Sequence, residues 1–233
     1  MLLLVISISV IAQNEVKNLF PNEILKIDLS VKKEKALNKR DYLLEQQALS
    51  KQEQQELDSL LILYDESVES IWDIIGGGCS WYCGGGNYKV VASSFLVEDK
   101  LRYPAIRAND NSYKTAWIVD KNGGVGEYIE YSFKNQSPRV TEIIITNGFV
   151  KNESAWRKNN RVKKIKLYIN GLAYAILNLT DSRTDQVFKF EPLGKNKNGS
   201  DLILRFEILE VYKGDSFNHS AISEIYFDGI DVH

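Results

Sequence analysis

From Leu57 onward, apolar side chains return at helical spacing (Leu57, Leu60, Leu61, Tyr64, Val68, Ile71, Trp72, Ile75), while Glu53, Glu56, Asp58, Glu66 and Glu69 take the opposite face. Ser50 and Glu53 precede the stripe at the spacing of a capping box, so the pattern predicts an amphipathic helix that opens near residue 50 and ends at Gly76-Gly77-Gly78. A bare stripe of this breadth is adhesive, and it is expected to dock on the rest of the chain or on a second copy, as a homodimer through residues 57–75. Beyond Asn87 the helical period gives way to alternation. Strands are predicted over 88–93, 127–133, 141–146, 162–169, 172–179, 186–190, 202–212 and 222–227. Asn170-Gly171, between two of them, is a tight-hairpin signal. Short strands joined by Gly, Asn and Asp turns, with no interleaved helices, point to an all-β sandwich or jelly roll over residues 87–233.

The first residues, Met1 to Ala12, form an apolar run too short to cross a bilayer and suited to the core of a secretory signal, which assigns 1–13 to a signal peptide. No later segment is apolar for long enough to span a membrane, so export to the periplasm, the cell surface or the medium is expected. Residues 14–86 then read as an N-terminal helical region, irregular at first, that carries a glycine-rich cysteine loop. Its two cysteines, Cys79 and Cys83, are the only ones in the chain. In an exported protein they read first as a small disulfide loop, with free thiols as the alternative. His219 and His233 lack the close spacing of a zinc site, and three residues between the thiols do not make a redox motif.

With 233 residues, 44% of them hydrophobic, the chain can build one sizeable core. A net charge of −2 supplies no general attraction for nucleic acid or anionic lipid. The local run of Lys158, Arg161, Lys163, Lys164 and Lys166 leads into an alternating strand and reads as a solvated face, so no nucleic-acid partner is expected.

The stretch from Asn109 to Trp117, followed by Gly123-Gly124-Val125-Gly126-Glu127-Tyr128-Ile129, resembles the NADase-type glycan-binding domain, a branch of the galactose-binding-like, discoidin-type β-sandwiches of secreted bacterial proteins. The likeness continues through Ile144 to Lys151, Asn160 to Lys163, Val211 to Gly214 and Ile222 to Ile225. It implies a galactose-binding-like jelly roll, carbohydrate as the partner, and a structural Ca2+ held by Asp110, Asn111 or Tyr113 through main chain, Thr115, and Glu224 from the final strand. Hard oxygen donors at a tight turn suit that ion. Asn111 stands where the family usually has glycine, and an Asx turn capped without metal is the alternative.

For the ligand surface, Trp117, Phe149, Trp156 and Tyr212 supply rings for stacking on a pyranose, and Asn147, Lys151, Asn159, Asn160 and Arg161 supply polar partners. Trp117 and Tyr212 read as edge packing. Trp156 lies in a polar stretch with no apolar period to bury it, so it is expected to touch the ligand together with Asn147, Lys151, Asn160 and Arg161. Carboxylate pairs that can be imagined as acid and base, Asp181 with Asp185 and Glu207 with Glu210, read as solvated or ion-paired. Gly123-Gly124-Val125-Gly126 precedes a strand rather than a helix and is not a phosphate loop. The expected function is therefore non-enzymatic glycan binding, with a protein-interaction or envelope-assembly module as the alternative.

Overall fold

The structure, a computed structural model, describes residues 16–27, 31–63, 81–85 and 88–231. The expected signal peptide, the helical stripe beyond residue 63, and Cys79 with its pairing to Cys83 lie outside the described residues.

Two stacks of strands face each other. One runs β2 (Glu23–Lys26), β11 (Thr184–Leu193), β8 (Arg139–Asn147), β13 (Ser220–Ile230), with β6 (Trp117–Val119) added to the start of β13. The other runs β1 (Lys17–Leu19), β10 (Leu172–Asn178), β9 (Asn160–Ile169), β12 (Leu202–Tyr212), β7 (Tyr128–Phe133), β3 (Tyr88–Ala92). They join where Ser220 and Ala221 pair in parallel with Asn160 and Arg161. Alternation decides which side chains go inward: in β7, Ile129, Tyr131 and Phe133 are buried while Tyr128, Glu130 and Ser132 are half-exposed. Ile143, Ile145, Ile225 and Phe227 of the first stack meet Ile165, Leu167, Leu204 and Phe206 of the second. Tyr131, Phe133, Phe206 and Phe227 pack with ring centroids 4.9 to 6.5 Å apart, mostly edge to face, the geometry aromatic quadrupoles favour.

Each of the eight expected strands is present, and the range 202–212 coincides with β12. Asn170 and Gly171 both take positive φ, 50° and 81°, as the hairpin signal requires. The first stack is covered on both faces. Ile144, Val187 and Tyr226 point away from the main core into a second apolar cluster with Tyr113 and Val150.

Residues ahead of Asn87 also pair with the sandwich. Strand β1 pairs with the edge of one stack and β2 with the edge of the other, so the chain straps the open side of the sandwich across only residues 20–22. Asn22 holds the strap: its N–H donates to Val187 O at 2.7 Å, and its side-chain oxygen accepts from Lys189 N at 2.8 Å. A short helix, α3 (Trp81–Gly85), caps the core, with Trp81 edge-on to Phe133 and its indole N–H donating to Arg139 O. These pieces escaped the periodicity because three- to five-residue segments carry too few positions to show one.

Helices α1 (Val31–Leu44) and α2 (Lys51–Leu63) pack together, burying Leu43 and Leu57, with Lys39 and Glu56 paired at 3.7 Å. α2 opens on the predicted capping box: Ser50 N–H donates to Glu53 Oε2 at 2.9 Å and Glu53 N–H donates to Ser50 Oγ at 3.3 Å. Leu57, expected to meet the domain or a second copy, is thus buried next to a helix of the same chain, whereas Ile62 and Leu63 are exposed.

Trp81→Ala removes a fully buried indole and is expected to lower the unfolding free energy by about 3–5 kcal/mol. Urea unfolding followed by near-UV circular dichroism measures it. A loss under 1 kcal/mol would show that residues before Asn87 are not part of the core.

Candidate functional site

The polar side chains expected to face a ligand are instead the staples of a loop. Strand β8 ends at Asn147 and β9 starts at Asn160; between them lies a short helix, α4 (Glu153–Lys158), capped by Asn152 Oδ1, which accepts from Ala155 N at 2.8 Å. Asn147 is fully buried. Its side-chain oxygen accepts from Val162 N at 2.8 Å, its amide donates to Val162 O at 2.7 Å, and its own carbonyl accepts the Trp156 indole N–H at 3.2 Å. Asn160, also buried, accepts from Gly214 N and donates to Asn218 Oδ1. Arg161, 8% exposed, spends its guanidinium on a two-point pair with Asp181, both bonds 2.9 Å, and on the carbonyls of Asn159 and Lys213.

Trp156 is half-buried. Its ring lies against that guanidinium, 4.8 Å from Arg161 Cζ, and over Gly148, where a Cβ would stand 2.7 Å from Trp156 Cδ1. Gly148 has φ +84°, a second reason for glycine there. Asn147, Asn160 and Arg161 therefore spend their polar atoms inside the protein, and Trp156 seats α4 on the sandwich. Sequence alone cannot separate a buried amide from a ligand-facing one, because both are polar residues in a loop. Trp117 and Tyr212 pack as expected, donating to Ser94 O and Leu179 O.

Lys151 is different, because it borders an open cavity of about 300 Å³ on the other side of α4. The apolar floor is Leu96, Tyr103, Ile118 and Phe149, with Tyr103 edge-on to Phe149 at 6.2 Å. Lys151 Nζ sits 4.6 Å above the Phe149 ring. α4 contributes Ser154, Ala155 and Lys158. The far wall is Phe217 and His219, whose rings stack 5.5 Å apart and 6° from parallel; Phe217 remains 45% exposed. That wall is zipped to α4. Asp215 N–H donates to Arg157 O, and Ser216 and Phe217 N–H groups donate to Lys158 O, which satisfies carbonyls the helix end leaves over. The close approach needs Gly214, where a Cβ would fall 2.4 Å from Lys158 O. Glu98, from the two-residue strand β4 (Val97–Glu98), closes the rim.

The loop expected to hold a cation lies elsewhere, on the outer face of the first stack. Asn111 takes φ +60°, the conformation a glycine would supply. Thr115 Oγ1 stands 2.7 and 2.8 Å from the two Asp110 oxygens and 3.1 Å from Ser112 O, so one hydroxyl proton faces three acceptors. Glu224 is fully buried; one oxygen accepts from Ser112 N at 2.9 Å, and Oε2 has no partner, nor has Asn111 Oδ1. Burial holds the Glu224 carboxyl well above the usual range, and neighbouring Asp110 adds to the shift. Among the described residues no three His, Cys, Asp or Glu side chains converge, so the carboxylate donors here are Asp110 and Glu224 alone.

Next to Glu224, across Thr146, stands Asp185. Expected in a solvated turn, it is instead buried on β11, where Thr146, Tyr113 and Tyr226 hydroxyls donate to it at 2.5, 2.7 and 3.0 Å. Burial raises its pKa and those bonds oppose the rise. The other carboxylates considered for catalysis are engaged as expected: Asp181 with Arg161, Glu210 with Lys163 and Lys164, and Glu207 as acceptor of the Tyr168 hydroxyl.

Two facing stacks, a closed strand pair at one end and a turn of oxygens under the last strand define a discoidin-like sandwich. The profile of the NAD glycohydrolase translocation F5/8 type C domain matches residues 81–228, and the chain belongs to that family. Among solved structures it is similar to CpGH89CBM32-5 from Clostridium perfringens, in complex with GalNAc-β-1,3-galactose, at 16% identity over 63% of this chain and 99% of that one, TM-score 0.46. The family 32 module of C. perfringens NanJ, in complex with galactose, gives 16% over 60% and 92%, TM-score 0.42. An F5/8 type C domain from Bacteroides fragilis gives 18% over 62% and 94%, TM-score 0.41. Comparison with curated protein sequences returned no match. No helix among the described residues is long and apolar enough to cross a membrane.

Trp156→Ala is expected to destabilise the fold by about 2 kcal/mol, through lost packing on Gly148 and Arg161. Thermal unfolding of the variant measures this, and an unchanged midpoint would return Trp156 to the role of a free surface ring.

Proposed function

We propose that the protein is an exported, non-enzymatic glycan-binding module whose saccharide site is the cavity between α4 and the Phe217 loop. One observation carries the reading: an exposed ring, Phe217, backed by His219 and standing at the mouth of a cavity rimmed by ammonium, hydroxyl and amide groups. Sugars need both, a flat apolar surface for the C–H face of the pyranose and donors or acceptors for its hydroxyls. The site is held by backbone hydrogen bonds from a loop to a helix end, so little ordering is required on binding. Of the residues expected to bind ligand, Lys151 is kept.

A structural Ca2+ at Asp110, Thr115 and Glu224 belongs to the same reading. Two orphaned buried oxygens, a crowded hydroxyl and a carboxyl strained by burial are the donor set a hard cation relieves. The ion supplies positive charge to the turn. The chain's own part is to hold that turn on the last strand, through Ser112 and Glu224.

Phe217→Ala is expected to weaken retention on a glycan array, and affinity for the best glycan about tenfold, the order an aromatic stacking contact contributes. Binding left intact would move the site away from this cavity. Addition of 1 mM CaCl2 to chelator-treated protein is expected to raise the unfolding midpoint by about 5 °C, with no rise in Asp110→Asn. Equal midpoints with and without the ion would show the turn to be metal-free.

A further inference from the structure

Accepting the cavity as the saccharide site, we infer that its ligand is an anionic sugar, bearing a carboxylate or a sulfate ester. Several lysines elsewhere on the surface are matched: Lys134 meets Asp201, Lys163 and Lys164 share Glu210, Lys189 meets Glu23 and Glu142, and Lys195 meets Asp231. Lys151 and Lys158 both line the cavity and are exposed, and among the described residues neither has a carboxylate within 4.0 Å. The nearby acid on α4, Glu153, is turned to Arg157 at 2.6 Å and Arg183 at 3.6 Å. Glu98 is the single carboxylate among the lining residues. The Phe149 ring face also lies under Lys151 Nζ, which favours an ammonium held over the floor rather than swung into solvent.

This local excess of positive charge is set in a protein of net charge −2, so it is a property of the cavity and not of the whole surface. Two ammonium groups lining one concavity with an apolar floor attract an anion more strongly than the same groups on an open face, while Phe217 takes the sugar ring. A neutral sugar would use the ring and the hydroxyl-binding groups and leave the two charges unanswered.

The test is a glycan array carrying neutral, uronate-bearing, sialylated and sulfated glycans, probed with the full chain and with the Lys151→Ala/Lys158→Ala double variant. Both side chains are exposed, and a thermal melt confirms that the variant folds. Acidic glycans are expected to be retained preferentially. The double variant is expected to lower the ratio of acidic to neutral affinity about tenfold or more, and raised salt is expected to weaken the acidic class more than the neutral one. Retention of uronates and sialosides alone identifies the carboxylate as the recognised group; retention of sulfated glycans alone identifies the sulfate; either supports the inference. Neutral and acidic glycans bound equally, with no effect of the double variant, overturn it and leave the glycan site standing. No retention of any glycan overturns the site itself.

Discussion

The end of the sandwich that carries the cavity hangs on two buried amides. Asn147 stitches the last residue of β8 to the third of β9, and Asn160 ties the start of β9 to the loop before β13. A loop leaving one stack and entering the other would float if only its ends were fixed by strand pairing. Here each end is locked by a side chain whose polar atoms are satisfied inside the protein, where such bonds are strongest and an unmet one costs most. The Trp156 indole then closes on Asn147 O, Arg161 closes on Trp156 and Asp181, and α4 has one seat. Because α4 has one seat, so have Ser154 and Lys158 on the cavity side, and so has the Phe217 loop bonded to its end.

This explains why the frame was easier to read from sequence than the site. Alternation over six or more positions, as in 127–133 or 202–212, reflects one wet and one dry face, and the strands came out within a few residues of where they lie. Alternation does not report the double-sided burial of β8, where Ile143, Ile144 and Ile145 are all buried. The strap β1–β2, the two-residue β4 and β5 (Leu101–Arg102), and the six-residue α4 left no periodic trace. In the loop, residue type pointed the wrong way. An amide or guanidinium in a polar stretch looks available, yet Asn147, Asn160 and Arg161 are polar because the backbone ends around them need partners. Phe217 and Glu98 were missed for the converse reason: nothing in Asp215-Ser216-Phe217-Asn218 or in Val97-Glu98 marks which way a side chain turns.

The two buried carboxylates on the outer face of the first stack show how one cost is met in two ways. Asp185 and Glu224 flank Thr146 on neighbouring strands, each taken out of water at a penalty that burial alone would make large. Around Asp185 three hydroxyl donors converge, and the charge is spread over bonds that exist only in the folded chain; burial also raises Tyr113 and Tyr226, so these donors stay protonated. Around Glu224 a single backbone N–H arrives and one oxygen is left unmet, beside a second carboxylate. A carboxylate whose needs are met holds tertiary structure, as Asp185 ties the Tyr113 loop to β11. One whose needs are half met is where the proposed cation would find a donor, and this asymmetry between adjacent positions, more than the presence of acidic residues, distinguishes the Asp110–Glu224 turn from its structural neighbour.

The cavity and the Asp110–Glu224 turn sit on different parts of the sandwich, and they meet the chain through opposite kinds of contact. The turn acts on the frame: Glu224 lies on β13, the strand that pairs with both β6 and β8 and joins the two stacks. The cavity acts on solvent, with its rim built from exposed Lys151, Ser154, Lys158 and Phe217 and its floor from the satellite cluster of Leu96, Ile118 and Phe149. Ile118 belongs to β6 and packs with Ala221 of β13, so the floor rests on the same strand whose later part carries Glu224. A charge at the turn would therefore stabilise the strand beneath the cavity without touching its rim, so the effect of the proposed ion belongs in the unfolding midpoint, whereas that of the rim lysines belongs in the proposed choice of ligand.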